Sequence, residues 1–166
     1  MRLKALAISP ISTTEVIVGK VLAFGVLAAA ISTITVALLV GALGVLLLGS
    51  PVLLAAIIAL LTVASLALGL FVAVISDSER QTVQLSLLLL LASVFFSGFV
   101  LPIQEFTAPI RIASYVLPVT HGIRLIQDVM LRGWTNEAWE MVALAIIAAV
   151  LLVATWALLR RSMTRA

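Results

Sequence analysis

Residues 21–48 form one unbroken apolar run, entered at Lys20 and closed by Gly49, Ser50 and Pro51. A helix rises about 1.5 Å per residue, so roughly 20 apolar residues cross the hydrocarbon core of a bilayer, and this run has length to spare for tilt. Three further runs, at residues 52–75, 82–101 and 138–159, have the same character. A soluble fold would have to hide all four. With 64% of its 166 residues hydrophobic and only 10% charged, the chain carries more apolar surface than a soluble domain of this size can bury. The expected fold is an all-α integral membrane protein with four transmembrane helices. The small residues Ala28-Ala29-Ala30 superficially offer a cleavage site, but the apolar run continues well beyond them, which argues against a removable signal peptide.

The third and fourth runs are separated by a longer segment, residues 102–137, that is neither a tight loop nor a domain. It is broken at Pro102, Pro109 and Pro118 and stops its last helical pattern at Gly133. Thr107 followed by Ala108-Pro109 reads as a hydroxyl cap with proline in the first turn, predicting a helix that ends before Pro118. A second helix is predicted from Pro118 to Gly133, with Thr120 as its cap. Ile123, Ile126, Val129 and Met130 share one face of it, and His121, Arg124, Asp128 and Arg132 share another. Asp128 is spaced to pair with either Arg124 or Arg132. The bland reading of this polar face is a solvated side of an interfacial helix; the sharper one is a contact surface for a substrate. His121 reads either as a proton-sensitive group or as a hydrogen-bonding residue beside the proline turn. Broken backbone between two spans is tolerated only against protein or water, so the segment is expected to be a re-entrant or amphipathic hairpin.

Basic residues set the expected orientation. Arg2, Lys4, Lys20, Arg80, Arg160, Arg161 and Arg165 fall on the side shared by both termini and the 76–81 turn. Arg111, Arg124 and Arg132 fall on the other. The positive-inside rule puts the termini in the cytoplasm and the 102–137 cap outside. Trp134 and Trp139 at the entry of the last run, and Trp156 near its exit, suit the two interfaces. The net charge of +3 is spent at the ends of apolar runs, which argues against nucleic acid as a partner. There are no cysteines, one histidine and few carboxylates, which leaves no catalytic set and no metal cluster to expect. Ser65, Gly69 and Ala73 form a small-residue stripe suited to helix packing. Ser86, Ser93 and Ser97 are expected to bond back to the preceding turn of their own helix.

The N-terminal segment, residues 1–20, is the least apolar stretch before the cap. Thr13 or Thr14 is a plausible cap for a helix beginning at Glu15, whose carboxylate suits the positive end of the helix dipole. The segment is either a surface anchor for the first span or a docking element for a soluble partner. No phosphate-binding Gly-rich loop is present, and no span carries a charge near its middle, so movement of a substrate would need energy from elsewhere.

Three motifs then occur in order: Ile8-Ser9-Pro10-Ile11-Ser12-Thr13-Thr14-Glu15 with Gly19-Lys20; Phe96-Ser97-Gly98-Phe99 through Pro102-Ile103; and Ile112-Ala113-Ser114-Tyr115-Val116-Leu117-Pro118-Val119-Thr120-His121 with Leu131-Arg132-Gly133. Together they resemble the bacterial ABC-2 type transporter permeases. The resemblance implies a coupling segment that docks on a separate ATPase subunit, carried here by Ser9, Pro10, Ile11, Ser12 and Glu15. It also implies an outer hairpin carried by Pro102, Pro109, Tyr115, Pro118, Thr120, His121 and Arg124. By the same likeness the four spans are the last four of six, no cofactor is bound directly, and ATP with magnesium sits on the partner subunit. A second permease chain or upstream half, membrane lipid and the cytoplasmic membrane of a prokaryote complete the expectation. The acidic residues common before the first motif are replaced by Arg2 and Lys4, and two upstream spans are expected but absent from this sequence. The alternative is a truncated or accessory membrane fragment without transport activity of its own.

Overall fold

A computed structural model describes residues 13–100, 102–134 and 138–164 of the chain. They form α1 (Thr13–Gly41), α2 (Pro51–Ile75), α3 (Glu79–Phe96), a 3₁₀ turn (Ile103–Glu105), α4 (Ala108–Val116), α5 (Pro118–Gln127), a π-helical turn (Asp128–Arg132) and α6 (Ala138–Thr164). No strand occurs among the described residues, so the protein is an all-α membrane protein as expected. Among the described residues, three stretches are long and apolar enough to cross a membrane: Ile17–Gly41, Pro51–Ile75 and Trp139–Arg161.

The helix ends differ from the expected span bounds. α1 starts at Thr13 and passes through Lys20, because nothing in the Glu15–Lys20 stretch breaks a helix. It then stops at Gly41 rather than continuing to residue 48. The segment after it leaves helical geometry and lays Val45 and Leu47 against the core, so tertiary burial overrides the helical preference of an apolar run. α3 starts earlier than expected, at Glu79, with the Ser78 hydroxyl accepting from the Gln81 N–H at 3.2 Å and the Gln81 side chain accepting from the Asp77 N–H at 2.8 Å. It ends at Phe96 instead of residue 101, where the chain turns at Gly98 with φ of +88°. Its 18 residues open on Glu79, Arg80 and Gln81, which makes it the shortest and least apolar of the long helices.

The core lies where α2, α5 with its π-helical turn, and α6 meet. Leu54, Ile57 and Ala64 of α2 interlock there with Leu125, Val129 and Met130 and with Leu144 and Ala148 of α6. α1 is apolar on all sides and meets this core through Val36, with most of its large side chains, from Val18 to Leu38, exposed. Such a helix is at home only in an apolar solvent. The Ser65, Gly69, Ala73 stripe of α2 lies off this core. Those residues face outward, and the neighbouring face with Ala64 and Ala67 is the buried one. An added Cβ at Gly69 would meet nothing within 4 Å.

Two close approaches fix the hairpin against α2. At Gly122, on α5, a Cβ would fall 2.5 Å from Leu61 Cδ2. Leu61 lies ten residues into α2, or about 15 Å along its axis from Pro51. At Gly49 a Cβ would fall 2.5 Å from the Val129 carbonyl oxygen, and the Leu48 N–H donates to the Met130 carbonyl at 3.2 Å. The chain therefore descends through α4, turns at Leu117–Pro118 deep beside α2, and climbs back through α5 to the level where α2 begins. That path is re-entrant. At the opposite end of the bundle Thr14 and Ile17 share a cleft with Leu152, Val153 and Trp156 of α6.

Gly49→Ala is expected to destabilise the protein by about 1–3 kcal/mol, because its methyl group meets backbone that cannot yield. Gly69→Ala is expected to be neutral or slightly stabilising, by the gain of helix propensity alone. Thermal unfolding of both variants in the same detergent checks this, and equal losses would contradict the two assigned environments.

Candidate functional site

Charged side chains are scarce in this chain, and the hairpin gathers an ion pair around one of them. Glu140 stands in the first turn of α6, where a carboxylate complements the helix dipole. It is only 1% exposed. Burial of a carboxylate without a partner is prohibitively unfavourable, and the partner is Arg124 of α5, whose Nη1 donates to Glu140 Oε1. Arg124 keeps 26% of its side-chain surface and lies 5.5 Å above the Tyr115 ring, a cation–π geometry.

His121 completes the cluster. It is 2% exposed, with Nε2 2.9 Å from the Tyr115 carbonyl and Nδ1 3.9 Å from Glu140 Oε2. A carbonyl only accepts, so the proton of the neutral ring sits on Nε2. Burial pulls the His121 pKa below its ordinary 6.5; the bond to the Tyr115 carbonyl opposes that, and the nearby Arg124 charge adds to it. Glu140 would favour an imidazolium, but its charge is already met by Arg124, so the direction set by burial stands. Tyr115, His121 and Trp139 form a three-ring group, with the His121 and Trp139 centroids 5.8 Å apart at 86°.

The tip is closed by its own hydroxyls. Thr120 is not a helix cap: α5 begins at Pro118 with Leu117 before it, and the buried Thr120 hydroxyl donates to the Ser114 carbonyl at 2.6 Å across the turn. Ser114 in turn donates to the Ile110 carbonyl at 3.0 Å. Thr107 holds the cap position of α4 but makes no side-chain capping bond. Asp128, free in the sequence to take either arginine, takes Arg132 at 2.9 Å, since Arg124 is committed to Glu140. The bland reading of the α5 polar face as fully solvated fails for His121, which is buried, and holds for Arg132, which is 67% exposed.

Of the expected hairpin residues, the structure brings together Tyr115, Pro118, Thr120, His121 and Arg124. Pro102 and Pro109 stand apart at the exposed starts of the 3₁₀ turn and α4. Ser9, Pro10, Ile11 and Ser12 lie outside the described residues, and Glu15 is exposed in the first turn of α1. Sequence reasoning missed Glu140 and the contacts of Trp139. The available signal was a carboxylate at the mouth of an apolar run, where burial demands a cation from elsewhere in the chain.

A family model described as ABC-2 family transporter protein matches residues 2–157. The inner membrane transport permease YhhJ of Escherichia coli K12 is 30% identical over 129 residues, covering 77% of this chain and 34% of that protein. The probable multidrug ABC transporter permease YbhS of the same organism is 27% identical over 132 residues, covering 79% of this chain and 35% of the relative. The chain thus spans about a third of the length of the curated relatives it matches. No solved structure matches it.

Arg124→Leu, which strands the buried Glu140 carboxylate, is expected to cost about 3 kcal/mol, the lower end for a broken buried pair because Arg124 is partly exposed. Adding Glu140→Leu should recover most of that loss, and a double variant as unstable as the sum of the single changes would remove the pair from the account. Because the folded-state pKa of His121 is lowered, its contribution is intact above 6.5 and is lost as the pH falls below that value. Unfolding of the wild type in detergent should therefore shift to lower temperature on acidification through this range. His121→Gln should flatten that dependence; an unchanged slope would contradict a buried neutral imidazole.

Proposed function

The chain belongs to the ABC-2 transporter family, and from that premise we propose that it forms the transmembrane permease part of an ATP-driven exporter. The family match, running through residues 2–157, is the observation that carries this reading. A lipophilic or amphiphilic substrate is the class that fits. Clefts of about 530 and 490 Å³ flank the contact between α1 and α2, and both are lined by apolar side chains with Ser32 and Thr62 among them. Hydroxyls of this kind bond to their own helix, as Thr33 does to the Ala29 carbonyl at 2.7 Å, or turn toward a passing polar group. No charge lines either cleft, so an ionic cargo has no counter-ion there.

Energy comes, in this reading, from ATP and magnesium held by a separate ATPase subunit, with no cofactor on the permease. The docking element is the segment ending at Glu15, with Ser9, Pro10, Ile11 and Ser12. A second permease chain, or the remaining spans of a longer permease, completes the pathway. The membrane is the cytoplasmic (inner) membrane of a prokaryote. α3 serves as the remaining span, from the polar turn at Asp77 to the Ser97–Gly98 bend. Lys20, Arg80, Arg160 and Arg161 favour placing the termini in the cytoplasm and the hairpin outside.

Isolation of the tagged protein from native membranes, followed by mass spectrometry, is expected to recover a nucleotide-binding ATPase. Glu15→Lys should reduce that recovery several-fold while leaving membrane insertion intact. Recovery of the chain without any ATPase, under conditions where an established exporter keeps its own, would overturn the reading.

A further inference from the structure

Beside the ion pair the hairpin leaves a polar cavity of about 250 Å³, lined by Gln104, Arg124, Gln127, Asp128, Arg132 and Glu140. A second cavity of about 190 Å³ adjoins it, shares Gln104, Arg124 and Gln127, and reaches Ser97. Ser97 is 1% exposed, and its hydroxyl has no hydrogen-bond partner, although Ser76, Ser114 and Thr155 all bond back to the preceding turn. The expected back-bond of Ser97 is therefore missing at the one serine that borders this space. A buried hydroxyl left over by the fold is a place for a hydrogen-bonding guest.

We propose that these two chambers bind a neutral, hydroxyl-rich group, a sugar or polyol. Charge balance selects that class. Two guanidiniums and two carboxylates line the wider chamber and are already paired, Arg124 with Glu140 and Arg132 with Asp128. An anion would meet both carboxylates and a cation both guanidiniums, so neither gains a net counter-charge. A neutral polyhydroxyl group meets no such penalty. Its hydroxyls both donate and accept, as do the carboxamides of Gln104 and Gln127, and the Arg132 guanidinium and Asp128 carboxylate in the same lining add further donors and acceptors. The same chemistry arrives either as a glycolipid headgroup or as a free sugar. The site stands on the cavity's own chemistry and does not depend on the transport reading.

The purified full chain in phosphatidylcholine nanodiscs doped with monoglucosyl diacylglycerol and phosphatidylglycerol tests this, with retained lipid counted by native mass spectrometry. Tritiated methyl glucoside is measured in parallel by equilibrium dialysis. Enrichment of the glucolipid by about tenfold over both phospholipids is expected, the equivalent of one or two net hydrogen bonds. That enrichment should vanish in the Gln104→Leu/Gln127→Leu double variant and weaken in Ser97→Ala, which removes only a hydroxyl. Glucolipid enrichment without methyl glucoside binding assigns the source to the membrane; binding of both shows that the site also takes the free sugar. Equal retention of the three lipids with no sugar binding, or preference for either phospholipid, overturns the proposal on the wild type alone. Full selectivity in a folded double variant overturns it as well.

Discussion

A carboxylate buried at the mouth of an apolar helix dictates much of this structure. Glu140 is fixed by the start of α6, and its charge is tolerable only with a cation beside it. Arg124 can supply that cation only if α5 lies against α6, and α5 can do so only if the chain between α3 and α6 folds back into the bundle. The ion pair thus demands the hairpin. Around it the Tyr115, His121 and Trp139 rings pack into one cluster.

The backbone of such a hairpin must satisfy itself, because neither lipid nor a packed core will do it. Thr120 gives its hydroxyl to the Ser114 carbonyl, which Pro118 leaves without an i+4 N–H, and Ser114 bonds back to the Ile110 carbonyl of its own helix. At the other end, the π-helical turn presents the Met130 carbonyl to the Leu48 N–H, joining the return limb to the loop that leads into α2. Gly122 and Gly49 matter for what they lack: a side chain at either would push α5 or its π turn away from α2. One contact holds the deep end of the hairpin and the other its shallow end. The apolar face of α5 then fills the space between α2 and α6.

Much of this was legible in the sequence. The apolar runs specify membrane helices, and three prolines with Gly133 specify a broken segment between the last two; both readings rest on local chemistry. Helix ends depart from the apolar runs where tertiary contacts override that chemistry, as when residues 42–48 give up helix to place Val45 and Leu47 on the core. The stripe at Ser65, Gly69 and Ala73 stays on an outward face of α2 for a related reason. Small residues permit close packing, but which small-residue face is used depends on where the partner helices lie. Within the site, the arginine was singled out and its carboxylate was not. Arg124 and Glu140 are 16 residues apart, across a turn whose path no local pattern specifies. Ser97 shows the same limit, since its missing back-bond is visible only once the adjoining cavity is.

The most direct test of the account is the depth and sidedness of the hairpin. The chain has no cysteine, so single cysteines at Val119, in the tip, and at Leu131, in the π-helical turn and 63% exposed, can be probed in intact cells with a membrane-impermeant maleimide. A re-entrant hairpin opening to the outside gives rapid labelling at Leu131→Cys and protection at Val119→Cys until the protein is unfolded. Equal labelling of the two would mean that the segment lies flat in water and that the ion pair is not what holds it in the bundle.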